Sequence, residues 1–331
     1  MSNQYPLFTL RTREIVGRRD LLKKLAQACK DIAAPKAGTH LFYLVGEGGM
    51  GKTRVLEELR DLSLRDITLA SDKQIVTTII DFYDISNHSS IDLQEAIVDA
   101  LPDGDGYREQ VFAEYRKQLQ NFRNYAALGM GEDRQRKELN EAFLAAWRIY
   151  TEHRSVVIPL DTAELLQFQD DEVRQRLGLR LPEANSKSWL FTVVEENKLP
   201  RTLFVVAGRH RPALDDELTT LAKTHDHVIF HHLESLANDE CNDYFDRLAD
   251  TLAEGYPDQA AEIRQLPSSL RGHLIHLAGG RPIALALALQ LYLSNISGTF
   301  RDLVERAEER KSEAQDSLRR ALVQSIMYEA F

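Results

Sequence analysis

Two kinds of hydrophobic pattern run along this chain, and the change from one to the other divides it. Up to residue 236, short unbroken apolar runs alternate with stretches in which apolar positions recur at helical spacing. The runs are His40–Val45, Gln74–Phe82, Ser155–Leu160, Arg201–Gly208 and Val228–Leu233. Their length and their β-branched and aromatic content predict buried parallel strands. Leu21, Leu22, Leu25 and Ala26 mark a helix before the first run, Leu93, Ile97, Val98 and Leu101 one after the second, and Leu190, Val193 and Val194 one before the fourth. Residues 107–153 carry two longer stripes, Val111, Tyr115, Leu119 and Phe122, then Leu139, Phe143, Ala146 and Ile149, with a turn at 126–131. The simplest role of these aromatics is packing against the sheet. Beyond residue 236 no strand pattern recurs, and 238–253, 258–266, 268–278, 282–294 and 299–327 all read as helices.

Such alternation predicts an α/β fold, a parallel sheet with helices on both faces, followed by an all-helical lid domain. The expected boundaries are a lead-in over 1–13, the α/β domain over 14–236 and the helical domain over 237–331. Gly279-Gly280-Arg281-Pro282 is a strong helix start, because proline suits a first helical position.

One strand-to-helix junction carries chemistry. Gly46-Glu47-Gly48-Gly49-Met50-Gly51-Lys52-Thr53 fits G-x-x-x-x-G-K-[ST], between the strand at 40–45 and a helical run from Arg54. Its glycines let backbone N–H groups converge, and the helix N-terminus behind them favours phosphate oxygens. Lys52 is expected to reach the β- and γ-phosphates, and the Thr53 hydroxyl to ligate Mg²⁺. The run at 155–160 ends in Asp161, with Glu164 close behind. In a parallel α/β sheet ligands lie beyond the C-terminal strand ends, so Asp161 is delivered to the edge that holds the glycine-rich loop. Pro159 is a blemish in that strand, and a bulge just before Asp161 is one way to accommodate it.

Composition narrows the possibilities. At 331 residues, 43% hydrophobic and 28% charged, the chain is long enough for two domains. Its net charge of −10 lacks the basic surplus of a nucleic-acid or anionic-membrane binder, so direct nucleic-acid binding is not expected. Cys29 and Cys241 stand far apart with no metal-ligand spacing, which fits a reducing cytoplasm. No apolar run approaches a membrane span.

Together, Val16-Gly17-Arg18, the Gly46–Thr53 loop, the strand ending at Asp161, the strand-end Arg209 and Gly280-Arg281-Pro282 resemble the STAND class of P-loop NTPases, relatives of AAA+ ATPases that include NACHT and NB-ARC switches. The resemblance implies an ATP/ADP-binding signalling switch in which slow, Mg²⁺-dependent hydrolysis of ATP resets lid movement and self-association. It implies that Val16 and Gly17, with Arg18 beside them, meet the adenine from the backbone and that Pro282 closes over base and ribose. The cradle would be Gly46, Glu47, Gly48, Gly49, Met50, Gly51, Lys52, Thr53 and Arg54. Asp161 and Thr53 would hold Mg²⁺, Glu164 would orient the attacking water, and Arg209 would sense the γ-phosphate. Asp161-Thr162-Ala163-Glu164 departs from the adjacent acids of many relatives, so the base can lie elsewhere. Arg211 competes with Arg209, Arg18 can pair with an acidic neighbour, and Arg281 can be a solvated helix-start residue. The family usually continues into a winged helix and sensor repeats, so the chain resembles a motor core whose sensor and effector are further domains or separate partners. A DNA-handling ATPase of replication-initiator or transposition type shares the Val-Gly-Arg and loop layout, and a non-hydrolysing nucleotide-binding scaffold is a third reading.

Overall fold

The computed structural model describes residues 11–65, 74–104, 106–127, 133–169 and 185–293. The predicted helix over 299–327 lies outside them, as does most of the turn at 126–131. The chain forms two compact units: one takes 20–47 and 52–233, the other the described residues of 1–19, 48–51 and 234–331.

The first unit is built on a six-stranded sheet of β1 (Thr39–Val45), β2 (Gln74–Val76), β3 (Ile80–Asp81), β4 (Ser155–Asp161), β5 (Thr202–Gly208) and β6 (Val228–His232). The order is β2-β4-β5-β1-β6, with β3 also on β4, and every pairing is parallel. Every residue of β4 and β5 is buried, which is why both read as continuous apolar runs. The helices are α1 (Arg19–Ala33), α2 (Lys52–Arg65), α3 (Ser90–Asp99), α4 (Tyr107–Val111), α5 (Ala113–Ala127), α6 (Asp133–Thr151), α7 (Ser186–Glu195) and α8 (Pro212–Thr224). Local chemistry sets their starts: the Ser89 hydroxyl accepts from Ile91 N and Asp92 N to cap α3, and Pro212 opens α8.

Three expectations change. The run at 74–82 is two short strands, because the register on β4 slips by one residue, from Val76↔Val157 to Ile80↔Leu160. Pro159 is no edge residue: it pairs with Val205 of β5 and faces the interruption at 77–79 on its other side. The irregularity that proline demands is therefore an extra residue in the neighbouring strand, and β4 stays regular. On α6, Ile149 is exposed while Trp147 and Tyr150 turn inward. Trp147 lies 5.6 Å from Phe143 and 6.3 Å from Phe112, ring centre to ring centre, in an aromatic core where such pairs add stability beyond their buried area.

In the second unit, α9 (Asn238–Leu252), α10 (Pro257–Gln265), α11 (Ser268–Ala278) and α12 (Pro282–Leu293) enclose a core of its own, containing Phe245, Leu248, Ile263, Leu274, Leu285 and Leu289. Val16, far upstream, is buried in that core. Helix α11 ends at Gly279 in the left-handed conformation, and Gly280 follows at φ +68°. A Cβ on Gly280 would stand 2.4 Å from the Leu236 carbonyl oxygen. Leu236 N in turn donates to Gly280 O at 2.8 Å. Gly280→Ala therefore meets backbone strain and a main-chain clash at once, and is expected to destabilise this unit by about 3 kcal/mol. Chemical denaturation followed by circular dichroism measures it; a loss below about 0.5 kcal/mol would contradict the geometry.

Candidate functional site

The residues marked in the sequence fall into two groups, one within each unit. In the sheet unit, β1 and β5 end together, Val45 opposite Gly208, and Gly46 N donates to Gly208 O at 3.2 Å as the chain enters the glycine-rich loop. Lys52 opens α2 and folds back, its ammonium donating to Gly46 O at 2.7 Å and Glu47 O at 2.9 Å. Burial lowers its pKa, and nearby Glu164 only partly offsets that. Both carbonyls stand in for the anionic oxygens that an ammonium at this position would otherwise seek. Thr53 Oγ1 donates to Asp161 Oδ2 at 2.6 Å, so β4 and the loop meet at two oxygens of the kind Mg²⁺ prefers. Arg54, counted in the sequence with the cradle, is ion-paired on its own helix with Glu58 at 3.1 Å.

Glu164 is buried at 7% exposure, yet its carboxylate is satisfied: Arg209 N donates to Oε2 at 2.9 Å and Arg209 Nε lies 3.2 Å from Oε1. Of the two competing arginines, Arg209 is the one on Glu164. Arg211 instead occupies the N-cap position of α8, where its backbone N donates to Asp215 Oδ2 at 3.0 Å.

In the helical unit, Arg18 joins three segments. Its backbone N donates to Glu240 Oε1 at 3.2 Å, and its guanidinium donates to Glu234 O and, at 3.3 Å, to Met50 O in the tip of the glycine-rich loop. The acidic neighbour thus takes the Arg18 amide, while two carbonyls take the side chain. Burial lowers the Arg18 pKa, against the opposing pull of Glu240. Gly17 and Arg18 both have positive φ. Pro282 occupies the first turn of α12, Ile283 N donates to Gly49 O at 3.3 Å, and a Cβ on Gly49 would strike the Ile283 side chain at 2.1 Å. Gly48, Gly49, Met50 and Gly51 therefore belong with Val16, Gly17 and Pro282. Arg281 is exposed.

Several residues at the sheet edge escaped the sequence reading. Asp81 pairs in register with Asp161, so a second carboxylate residue ends beside it. Thr162, between Asp161 and Glu164, sits at φ +58°, a conformation that costs a β-branched residue about 1–3 kcal/mol. It bends the chain so that both acids are held beside the strand end, and Asp161 Oδ1 accepts from its amide at 2.8 Å. Asp215, buried at the start of α8, accepts from Tyr43 Oη at 3.3 Å and pairs with His210 Nδ1. Positive φ at a threonine leaves no trace in composition or periodicity. The Asp81 register follows only once β3 is placed.

A family model described as AAA ATPase domain matches residues 14–194, more than half of the chain. No curated protein matches it. Among solved structures, the ORC2 protein of Aeropyrum pernix in its ADPNP-ADP complexes is similar at 16% identity, covering 95% of this chain and 71% of that one with a TM-score of 0.54. The ADP form of the same protein gives 15% identity, 98% and 71% coverage and a TM-score of 0.53. The Aeropyrum pernix ORC1 protein in complex with DNA gives 15% identity, 96% and 69% coverage and a TM-score of 0.48.

Proposed function

This chain belongs to the AAA ATPase domain family, and from that premise we propose that it is a slow, Mg²⁺-dependent ATPase of the DNA-handling class whose nucleotide state controls its assembly. The observation that carries the chemistry is the pair of contacts at the sheet edge, Thr53 Oγ1 on Asp161 Oδ2 and Arg209 on Glu164. Thr53 and Asp161 would hold Mg²⁺ through hard oxygens, and the metal, when bound, would supply charge neutralisation at the phosphates. Lys52 exchanges its two loop carbonyls for β- and γ-phosphate oxygens, regaining a partner for its desolvated charge. Glu164 orients water and accepts its proton as the oxygen attacks the γ-phosphorus and ADP leaves. For that it must give up part of its hold on Arg209. Slow turnover follows, because the same guanidinium that neutralises Glu164 is the group proposed to meet the γ-phosphate.

In the helical unit, Val16, Gly17 and Pro282 are proposed to contact base and ribose, with the Arg18 guanidinium held on Met50 O of the same unit. The DNA-handling assignment rests on the likeness of fold to ORC2, which spans nearly the whole chain, and on the order Val16-Gly17-Arg18, then glycine-rich loop. The acidic balance that weighs against nucleic acid is a whole-chain quantity; a local contact surface answers to local charge. A second reading, the STAND signalling switch, is favoured by the start of α12, where the amide after Pro282 donates to Gly49 O within the helical unit.

Anisotropy of a labelled DNA duplex separates the two. With ATP present, binding is expected at about 50 mM salt and is expected to weaken steeply toward about 200 mM. No binding at low salt, together with a change in mass between ADP and a non-hydrolysable ATP analogue on a sizing column, would remove the DNA-handling reading and support the signalling switch.

A further inference from the structure

Away from the strand edge, the sheet unit holds a cavity of about 340 Å³ between α3, α6 and α7. That is the lower end of the range for small-molecule sites. Its polar wall has an internal logic. The Trp189 indole N–H can only donate, and it donates to Asn140 Oδ1 at 3.3 Å, which fixes the orientation of that amide. Gln94 Nε2 donates to the same oxygen at 3.0 Å, so Gln94 is oriented in turn. Its Oε1 is thereby left over: Gln94 is 2% exposed, lines the cavity, and among the described residues this oxygen has no hydrogen-bond partner. A buried acceptor without a donor costs about 1–3 kcal/mol, recoverable when a ligand supplies the donor.

The rest of the lining says which ligand. Asn140 has spent its oxygen and keeps its NH₂ group as a donor, so Gln94 and Asn140 together present an acceptor beside a donor. That is the complement of the donor–acceptor edge of a nucleobase, the feature by which unstacked bases are read. Trp189 adds an aromatic surface suited to a planar ring. Arg136 and Lys137 of α6 line the same cavity; Arg136 has a partner of its own, and Lys137 stands 4.0 Å from Glu141, a long and exposed pairing. We propose that this cavity is a second ligand site, distinct from the glycine-rich loop, which takes a nucleoside monophosphate with its base on Gln94, Asn140 and Trp189 and its phosphate toward Arg136 and Lys137.

The chain has two tryptophans, and the other, Trp147, is fully buried with its N–H on Thr202 Oγ1 at 2.9 Å. A change in intrinsic fluorescence caused by a ligand in the cavity therefore reports chiefly on Trp189. AMP, GMP, CMP and UMP are titrated into the full chain and into its Lys52→Ala variant, with adenosine and inorganic phosphate as separate probes. Saturable quenching by at least one monophosphate, equal in both proteins, is expected, with the nucleoside and inorganic phosphate each binding at least about tenfold more weakly. Gln94→Leu is expected to weaken the monophosphate about tenfold, and Arg136→Ala, at a half-buried position of α6, severalfold even if the Gln94 variant fails to fold. Quenching that vanishes in Lys52→Ala assigns the signal to the loop and overturns the second site. So does the absence of quenching by all four monophosphates, or affinity unchanged in Arg136→Ala and in a folded Gln94→Leu.

Discussion

Lys52→Ala is expected to weaken ATP and ADP binding by about 100-fold or more, equivalent to about 2.7 kcal/mol, and to remove turnover altogether. The size of the effect comes from where the ammonium sits. It is desolvated enough that its pKa is lowered, and in the absence of phosphate it is held by Gly46 O and Glu47 O, both neutral acceptors. A polyphosphate replaces two dipoles with full negative charge at the same distance, and charge-assisted hydrogen bonds are about twice as strong as neutral ones. Truncation to alanine also frees those carbonyls to face incoming phosphate oxygens, which adds repulsion to the lost attraction. Isothermal titration with ADP and Mg²⁺ measures it. Affinity within about threefold of the parent would mean that the loop does not cradle phosphate, and the assignment of the site would fall.

Glu164→Gln is the complementary case: nucleotide binding is expected to persist while turnover falls by about 100-fold or more. Glutamine keeps the shape and can still accept from Arg209 N, so the 2.9 Å contact that holds the strand end together survives. What is lost is the basicity that takes a proton from attacking water. A drop in kcat without a matching rise in KM is the signature of a group that acts in the transition state. If single-turnover phosphate release is unchanged, another group is the base. Asp81, in register with Asp161, is then the first carboxylate to substitute.

Much of the scaffold was legible because its residues have only one comfortable environment. Leu41–Val45, Val156–Ile158 and Leu203–Ala207 are apolar without interruption, and such runs belong between two layers of helices. The glycine-rich loop was legible because its chemistry is local in sequence. Residues 77–79 were misread as strand because Thr77, Thr78 and Ile79 have high β-propensity, while the slip there is imposed by a partner distant in sequence, the strand that contains Pro159. The acceptors of the Arg18 guanidinium, two main-chain carbonyls, carry no residue-type signal. The Gln94–Asn140–Trp189 chain was equally hidden, since polar residues on three helices look like three solvated faces until the helices are packed.

The burial of Val16 in the helical core bears on how such a protein can be cut and recombined. A gene fragment that encodes only the stretch from Glu234 onward omits Val16 from the core, and with it Arg18, which ties Glu234, Glu240 and Met50 together. The unit is assembled from three separate pieces of sequence, so no single crossover can transplant it whole. Exchange between relatives that respects the fold has to carry the beginning of the chain, the loop tip and the helices as a set. Inheritance is thereby coupled across positions that a linear map would assign to different modules.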